Sequence, residues 1–215
     1  MSNIIEQDNI TEQGNPKKPE GEAGAAMLDR MNSSHYELTG WGLGFAFVKS
    51  GANVLDIGCG GGATLKRLAD LVPGGHICGI DYSDISVRKS IELNSESVES
   101  HRMDIIHSSV ESMPYSDDHF DLITTVESFY FWPDPENNLK EVCRVLKPGG
   151  KFLLIAEVYG TDDLSEHQKE DIEKYNLFNP TMGEYEKLFE GANFSPVKVH
   201  LKEGTSWICV EGIKR

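Results

Sequence analysis

Short apolar runs alternate with amphipathic stretches along most of the chain, and the alternation predicts strands and helices in turn. NVLDI (53–57), HICGID (76–81), a segment within HRMDIIHSS (101–109), DLITTV (121–126) and KFLLIAEVY (151–159) read as strands. Between them, ATLKRLADLV (63–72), ISVRKSIELNSE (85–96) and PENNLKEVCRVL (135–146) space their apolar residues as helices do. Pro73-Gly74-Gly75 and Pro148-Gly149-Gly150 stop two of these helices. Ser83 or Asp84 can cap the helix that follows, and Pro135 suits a first helical turn.

Strands alternating with helices predict parallel pairing with helices on both faces of the sheet. NVLDI, DLITTV and FLLIA are nearly continuous apolar runs, as strands covered on both sides should be. The ending departs from this pattern. After a helix over TMGEYEKLFEGA (181–192), FSPVKVHLKE and TSWICVEGIKR follow with little between them and predict an antiparallel hairpin. The expected fold class is therefore α/β: a Rossmann-like, doubly wound, mostly parallel seven-stranded sheet with an antiparallel C-terminal hairpin.

The flanks are less regular. Residues 1–26 are polar, rich in Glu, Gly, Asn and Pro, and predict a flexible tail. Residues 27–215 are expected to form one domain, with the cofactor-binding core at 53–158. Within it, 27–50 would supply covering helices, with ELTGWGLGFAFVK (37–49) helical despite its glycines. Residues 160–180 form a polar, partly helical insert or lid, and 181–215 the last helix and hairpin.

The net charge of −15 and the absence of a Lys/Arg cluster argue against nucleic acid as a partner. No apolar run approaches the roughly 20 residues that span a bilayer, and the N-terminus lacks a secretory pattern, so a cytoplasmic location is expected. Cys59, Cys78, Cys143 and Cys209 contain no CxxC pair, so neither a disulfide framework nor a metal centre is expected.

The chemistry gathers around VLDIGCGGGATL (54–65), where glycines lie between the first strand and the first helix. Doubly wound folds bind nucleotides at this turn, and bare backbone there permits close approach and positive φ. No Gly-Lys-Ser/Thr follows, which removes the phosphate-loop reading. Gly58-Cys59-Gly60-Gly61-Gly62-Ala63, with Asp81 about 20 residues on, also fits a dinucleotide fingerprint. Asp56, facing the turn, would repel a pyrophosphate and suit a cationic amine.

At this point the chain resembles the class I S-adenosylmethionine-dependent methyltransferases, in particular the small-molecule type that includes ubiquinone- and menaquinone-biosynthesis enzymes. VLDIGCGGG is similar to their first motif and GIDYS (79–83) to their second. SSVESMPYSDDHFDLITTVESFYFWPD resembles the segment spanning their third and fourth strands, and EVCRVLKPGGKFLLI (141–155) the helix, turn and strand beyond. The resemblance implies S-adenosylmethionine as cofactor, with Asp56, Gly58, Cys59 and Gly60 at its methionine end. It implies Asp81 on the ribose hydroxyls, Tyr82 on the adenine face, and Ser109 and Val110 at the adenine edge. Ser109 stands where an acid is common in the family. Val126 and Glu127 would face the methionine moiety and the transferred methyl. Tyr130 and Trp132 are expected to line the acceptor pocket, with Phe129 and Phe131 packed beneath the insert. His35, Glu127 and Tyr130 are candidate catalytic residues, with Glu157 and Tyr159 further possible bases; Tyr36 and Trp41 are placed near the site. The acceptor is expected to be a small molecule. An NAD-binding oxidoreductase and a non-catalytic cofactor-binding module stay open as alternatives.

Overall fold

The computed structural model describes residues 13–215. Seven strands form one sheet: β1 (Asn53–Ile57), β2 (His76–Asp81), β3 (Met103–His107), β4 (Phe120–Val126), β5 (Leu146–Ala156), β6 (Phe194–Leu201) and β7 (Ile208–Lys214). Their order across the sheet is β3-β2-β1-β4-β5-β7-β6. The first five strands run parallel, whereas β7 is antiparallel to both β5 and β6. This is the expected mostly parallel sheet with an antiparallel ending.

Eight α-helices are described. α1 (Gly21–Ser34) and α2 (Tyr36–Leu43) precede the sheet, and α3 (Ala63–Leu71), α4 (Asp84–Leu93), α5 (Ser95–Glu99) and α6 (Pro135–Val145) connect its parallel strands. α7 (Glu166–Tyr175) lies in the insert and α8 (Met182–Gly191) leads into the hairpin. The caps follow local chemistry. Ser83 accepts the Ser86 N–H at the start of α4, and Asp134 accepts the Asn137 N–H ahead of Pro135 in α6. Capping boxes at Ser165/Gln168 and Thr181/Glu184 open α7 and α8.

Two apolar layers sandwich the sheet. Leu65, Leu68, Val54 and Leu122 pack on one face, while Leu139, Val142, Phe152, Phe189 and Phe194 pack on the other. Leu65 and Leu68 are each 0% exposed, and burying one such side chain contributes about 1.5–3 kcal/mol. Among the described residues no helix is long and apolar enough to cross a membrane.

Three expectations need correction. The tail expected over 1–26 extends too far, because residues 21–26 are already the first turns of α1; its first 12 residues lie outside the described part. The helix expected over 37–49 ends at Leu43, where the chain turns at Gly44. β5 starts at Leu146 rather than Lys151, because Leu146 pairs with Phe120 before an irregularity restores the register at Leu122↔Lys151.

Strand order reverses between β1 and β4, and such a switch point opens a crevice at the carboxyl ends of the strands. The glycine turn after β1, the Asp81 end of β2 and the Glu127 end of β4 all meet at that crevice.

Candidate functional site

A cavity of about 330 Å³ occupies the crevice. Its floor is the turn after β1, where Gly58 and Gly62 adopt φ of +71° and +86°, conformations that a side chain strains. A Cβ on Gly58 would also collide with Ser128 Oγ. The turn is held from outside by Ser90 Oγ, which donates to the Gly60 carbonyl at 2.9 Å, and by Asn94 Nδ2, which donates to the Gly62 carbonyl at 3.0 Å.

Asp81 closes one side. Its Oδ2 accepts the Gly60 N–H at 3.0 Å and its Oδ1 accepts the Ser83 N–H at 2.9 Å. Burial raises its pKa, and the two backbone donors counter that shift by favouring the charged carboxylate. Tyr82, 39% exposed, turns its ring along the same wall; Ser109 and Val110 continue it. Ser109 Oγ donates to Glu111 Oε2 at 3.0 Å, so the acid missing at 109 stands two residues on.

Val126 and Glu127 close the opposite end. Glu127 has φ +54°, in the left-handed region that non-glycine residues seldom enter. Its carboxylate is gripped on both oxygens. Tyr130 Oη donates to Oε2 at 2.8 Å, and the Glu157 N–H donates to Oε1 at 2.5 Å. His35 Nε2 stands 3.8 Å from the same Oε2. Burial pushes the Glu127 carboxyl up to about 7, which the Tyr130 and Glu157 donors moderate. Burial likewise lowers the His35 pKa, opposed by the Glu157 charge, so the imidazole favours its neutral form.

The structure therefore brings Gly58, Cys59, Gly60, Asp81, Tyr82, Ser109, Val110, Val126, Glu127 and His35 to one cavity. Asp56 is not on its wall. It lies 1% exposed beneath the glycine turn, accepting from Thr124 Oγ1 at 2.6 Å. Burial, reinforced by the Asp81 charge, pushes its carboxyl up to about 7. Tyr130 is also absent from the lining, because its hydroxyl is turned to Glu127. Phe131, expected to pack beneath the insert, lines the cavity instead, beside Trp132. Trp132 serves both ends: its ring stacks toward Phe152 at 6.4 Å and its Nε1 donates to Ser128 Oγ at 3.3 Å. Tyr36 is 59% exposed under the Arg67 guanidinium, and Trp41 packs against Phe45 and Trp207, so neither reaches the cavity.

Leu28, Met31 and Asn32 of α1, within the 27–50 stretch expected to supply covering helices, border the cavity, and sequence reasoning missed Pro16, Lys17 and Pro19, which join them there. The Pro19 carbonyl accepts Ser83 Oγ–H at 2.7 Å, Asn32 Nδ2 donates to the Gly61 carbonyl at 3.1 Å, and Lys89 pairs with Asp29 at 2.8 Å. The only signal was the paired prolines, which fix local backbone without saying where it goes.

Among the described residues, two groups bring three possible metal-ligand atoms within 4.8 Å of one another: His76, Cys78 and Asp104 across β2 and β3, and His35, Glu127 and Glu157, of which His35 and Glu127 line the cavity. His76 Nε2 and Asp104 Oδ2 already satisfy one another at 2.8 Å.

Known proteins share this architecture and sequence. The rice chloroplastic 2-methyl-6-phytyl-1,4-hydroquinone methyltransferase 1 is 32% identical over 165 residues, which is 77% of this chain and 47% of that protein. The demethylmenaquinone methyltransferase of Listeria monocytogenes (strain HCC23) is 34% identical over 109 residues, 50% of this chain and 46% of that one. The chain thus spans less than half the length of these relatives. A solved structure of a SAM dependent methyltransferase from Aquifex aeolicus shares the fold with a TM-score of 0.70 at 21% identity, covering 89% of this chain and 98% of that one. A family model described as a methyltransferase domain matches residues 48–204, from the segment before β1 to the β6–β7 loop. With most of its length matched, the chain belongs to that methyltransferase domain family.

Proposed function

We propose that the chain transfers a methyl group from S-adenosylmethionine to a small-molecule acceptor. The observation that carries the reading is the Asp81 carboxylate, 7% exposed and held beside the glycine turn on the cavity wall. Its remaining lone pairs suit the two hydroxyls of a ribose, and the glycine turn leaves bare backbone where a side chain would fill the cradle. Tyr82 fits the adenine face, with Ser109 and Val110 at its edge. Gly58, Cys59, Gly60 and Val126 surround the methionine end together with the Glu127 main chain. Asp56 acts from below: held to β4 by Thr124, it adds negative potential near a cationic ligand.

When bound, the cofactor supplies an electrophilic methyl on a sulfonium, and the protein supplies alignment and exclusion of water. The α1 roof and the Phe131 and Trp132 rings provide the exclusion. The hydroquinone and menaquinone relatives support an acceptor of small-molecule class. Four free, buried cysteines accord with a reducing cytoplasm.

Thermal unfolding with S-adenosylhomocysteine and NAD in separate titrations tests the donor. Stabilisation by S-adenosylhomocysteine is expected; stabilisation by NAD alone overturns the assignment. Cofactor binding with no transfer across a broad acceptor panel would favour a non-catalytic module.

A further inference from the structure

Resting on that reading, we infer that His35, Glu127 and Glu157 form the acceptor subsite and that the acceptor is an amine with an apolar or aromatic body, bound as its ammonium.

Geometry accommodates the ligand. The three side chains present acceptor atoms that all lie within 4.8 Å of one another, with His35 Nε2 and Glu127 Oε2 at 3.8 Å. An ammonium donating along tetrahedral directions at ordinary N–H···O lengths places its acceptors about 4.7 Å apart. The triad's atoms, none more than 4.8 Å from another, can take up that separation. Neutral His35 can offer Nε2 as an acceptor, and the two carboxylates accept by nature.

Charge points the same way. Glu127 and Glu157 are carboxyls whose burial and mutual repulsion disfavour ionisation, and a bound cation favours the charged form of both. Phe131 and Trp132 line the adjoining wall, where an apolar body can lie and ring faces attract a cation. Glu127 is held rigidly in this position. Tyr130 and the Glu157 N–H fix both its oxygens, and a left-handed backbone aims it.

An ammonium has no lone pair and must lose a proton before it attacks. Glu127 takes that proton. The freed nitrogen pair forms the N–C bond as the methyl leaves sulfur, whose bonding electrons remain on the thioether. The products are the N-methylammonium, S-adenosylhomocysteine and one proton. Glu157 is exposed and adjacent, so the proton leaves Glu127 toward solvent on that side.

Calorimetry on the full chain saturated with S-adenosylhomocysteine tests the inference, using benzylamine, benzyl alcohol and zinc chloride as probes. Benzylamine is expected to bind at least tenfold more tightly than benzyl alcohol. Glu157→Gln and Glu127→Gln should each weaken benzylamine by tenfold or more, with circular dichroism confirming that they fold. Glu157→Gln should leave S-adenosylhomocysteine affinity within about threefold. Equal binding of the amine and the alcohol, or a one-to-one zinc complex lost in Glu157→Gln, overturns the proposal. So does a tenfold loss of S-adenosylhomocysteine affinity in Glu157→Gln, which would assign the triad to the cofactor. Failure of S-adenosylhomocysteine to bind the unaltered chain breaks the methyl-donor reading itself.

Discussion

Asp81 and Gly60 are joined by a 3.0 Å hydrogen bond in which the carboxylate of one motif takes the backbone N–H of the other. The end of β2 therefore sets the shape of the turn after β1, and the residue that builds this cradle is the one proposed to take the ribose. Asp81→Ala should weaken S-adenosylhomocysteine binding by about 1–3 kcal/mol, the range for hydrogen bonds to a charged group. Asp81→Asn keeps an acceptor for Gly60 and should lose less. Calorimetry on both variants checks this; equal affinities for Asp81→Ala and the unaltered chain would sink the ribose assignment.

Asp56 makes stability depend on pH. Its carboxyl titrates at about 7 in the fold and near 3.8 when unfolded, so the folded state binds the extra proton between those values. Its contribution is complete below about pH 4 and is lost as pH rises through 7. Asp56→Asn keeps an acceptor for Thr124 and removes the charge. It should gain on the order of 1–3 kcal/mol over the unaltered chain at pH 8, and little at pH 4. The difference between the two denaturation profiles isolates this residue; a flat difference from pH 4 to 8 would refute it. The same variant should bind the cationic cofactor less well.

Gly58→Ala meets both a φ of +71° and the Ser128 hydroxyl. A loss of about 1–3 kcal/mol of stability is expected, with cofactor binding falling beyond what unfolding explains. Urea denaturation and S-adenosylhomocysteine titration separate the two effects.

Ser83→Ala removes one hydroxyl that caps α4 and also holds the Pro19 carbonyl. It should cost about 1–2 kcal/mol and speed hydrogen exchange in residues 16–24. Exchange that quickens only in α4 would show that the roof does not depend on this contact.

The core strands were legible because each is a continuous apolar run between helix stops, and burial on both faces demands that composition. β5 hid its first residues behind Pro148-Gly149-Gly150, which punctuate a helix and here also begin a strand. The N-terminal roof hid because Gly21–Ala26 lack the large apolar residues that advertise a buried helix, and Met27 and Leu28 are the large apolar side chains that α1 buries. The motif residues following β1, β2 and β4 meet at one cavity, since strand order fixes where those ends lie. The aromatic run was not legible in this way. Phe129–Phe131 forms a single 3₁₀ turn, and consecutive side chains on such a turn point in different directions. Which ring meets the cavity then depends on the phase of the turn, and Phe131, not Tyr130, takes that place. Asp56 was expected to face the ligand because it ends β1; its register with Gly79 and Thr124 instead holds it within the sheet, where Thr124 claims it.

The sheet order also carries a consequence for synthesis. β7 hydrogen-bonds to β5 on one side and β6 on the other, yet it is translated after both. A ribosome that has released β6 has made a strand whose only partner is still inside the exit tunnel. Until β7 emerges, both the outer edge of β5 and the whole of β6 stay unpaired, exposed to whatever other chain offers an edge first.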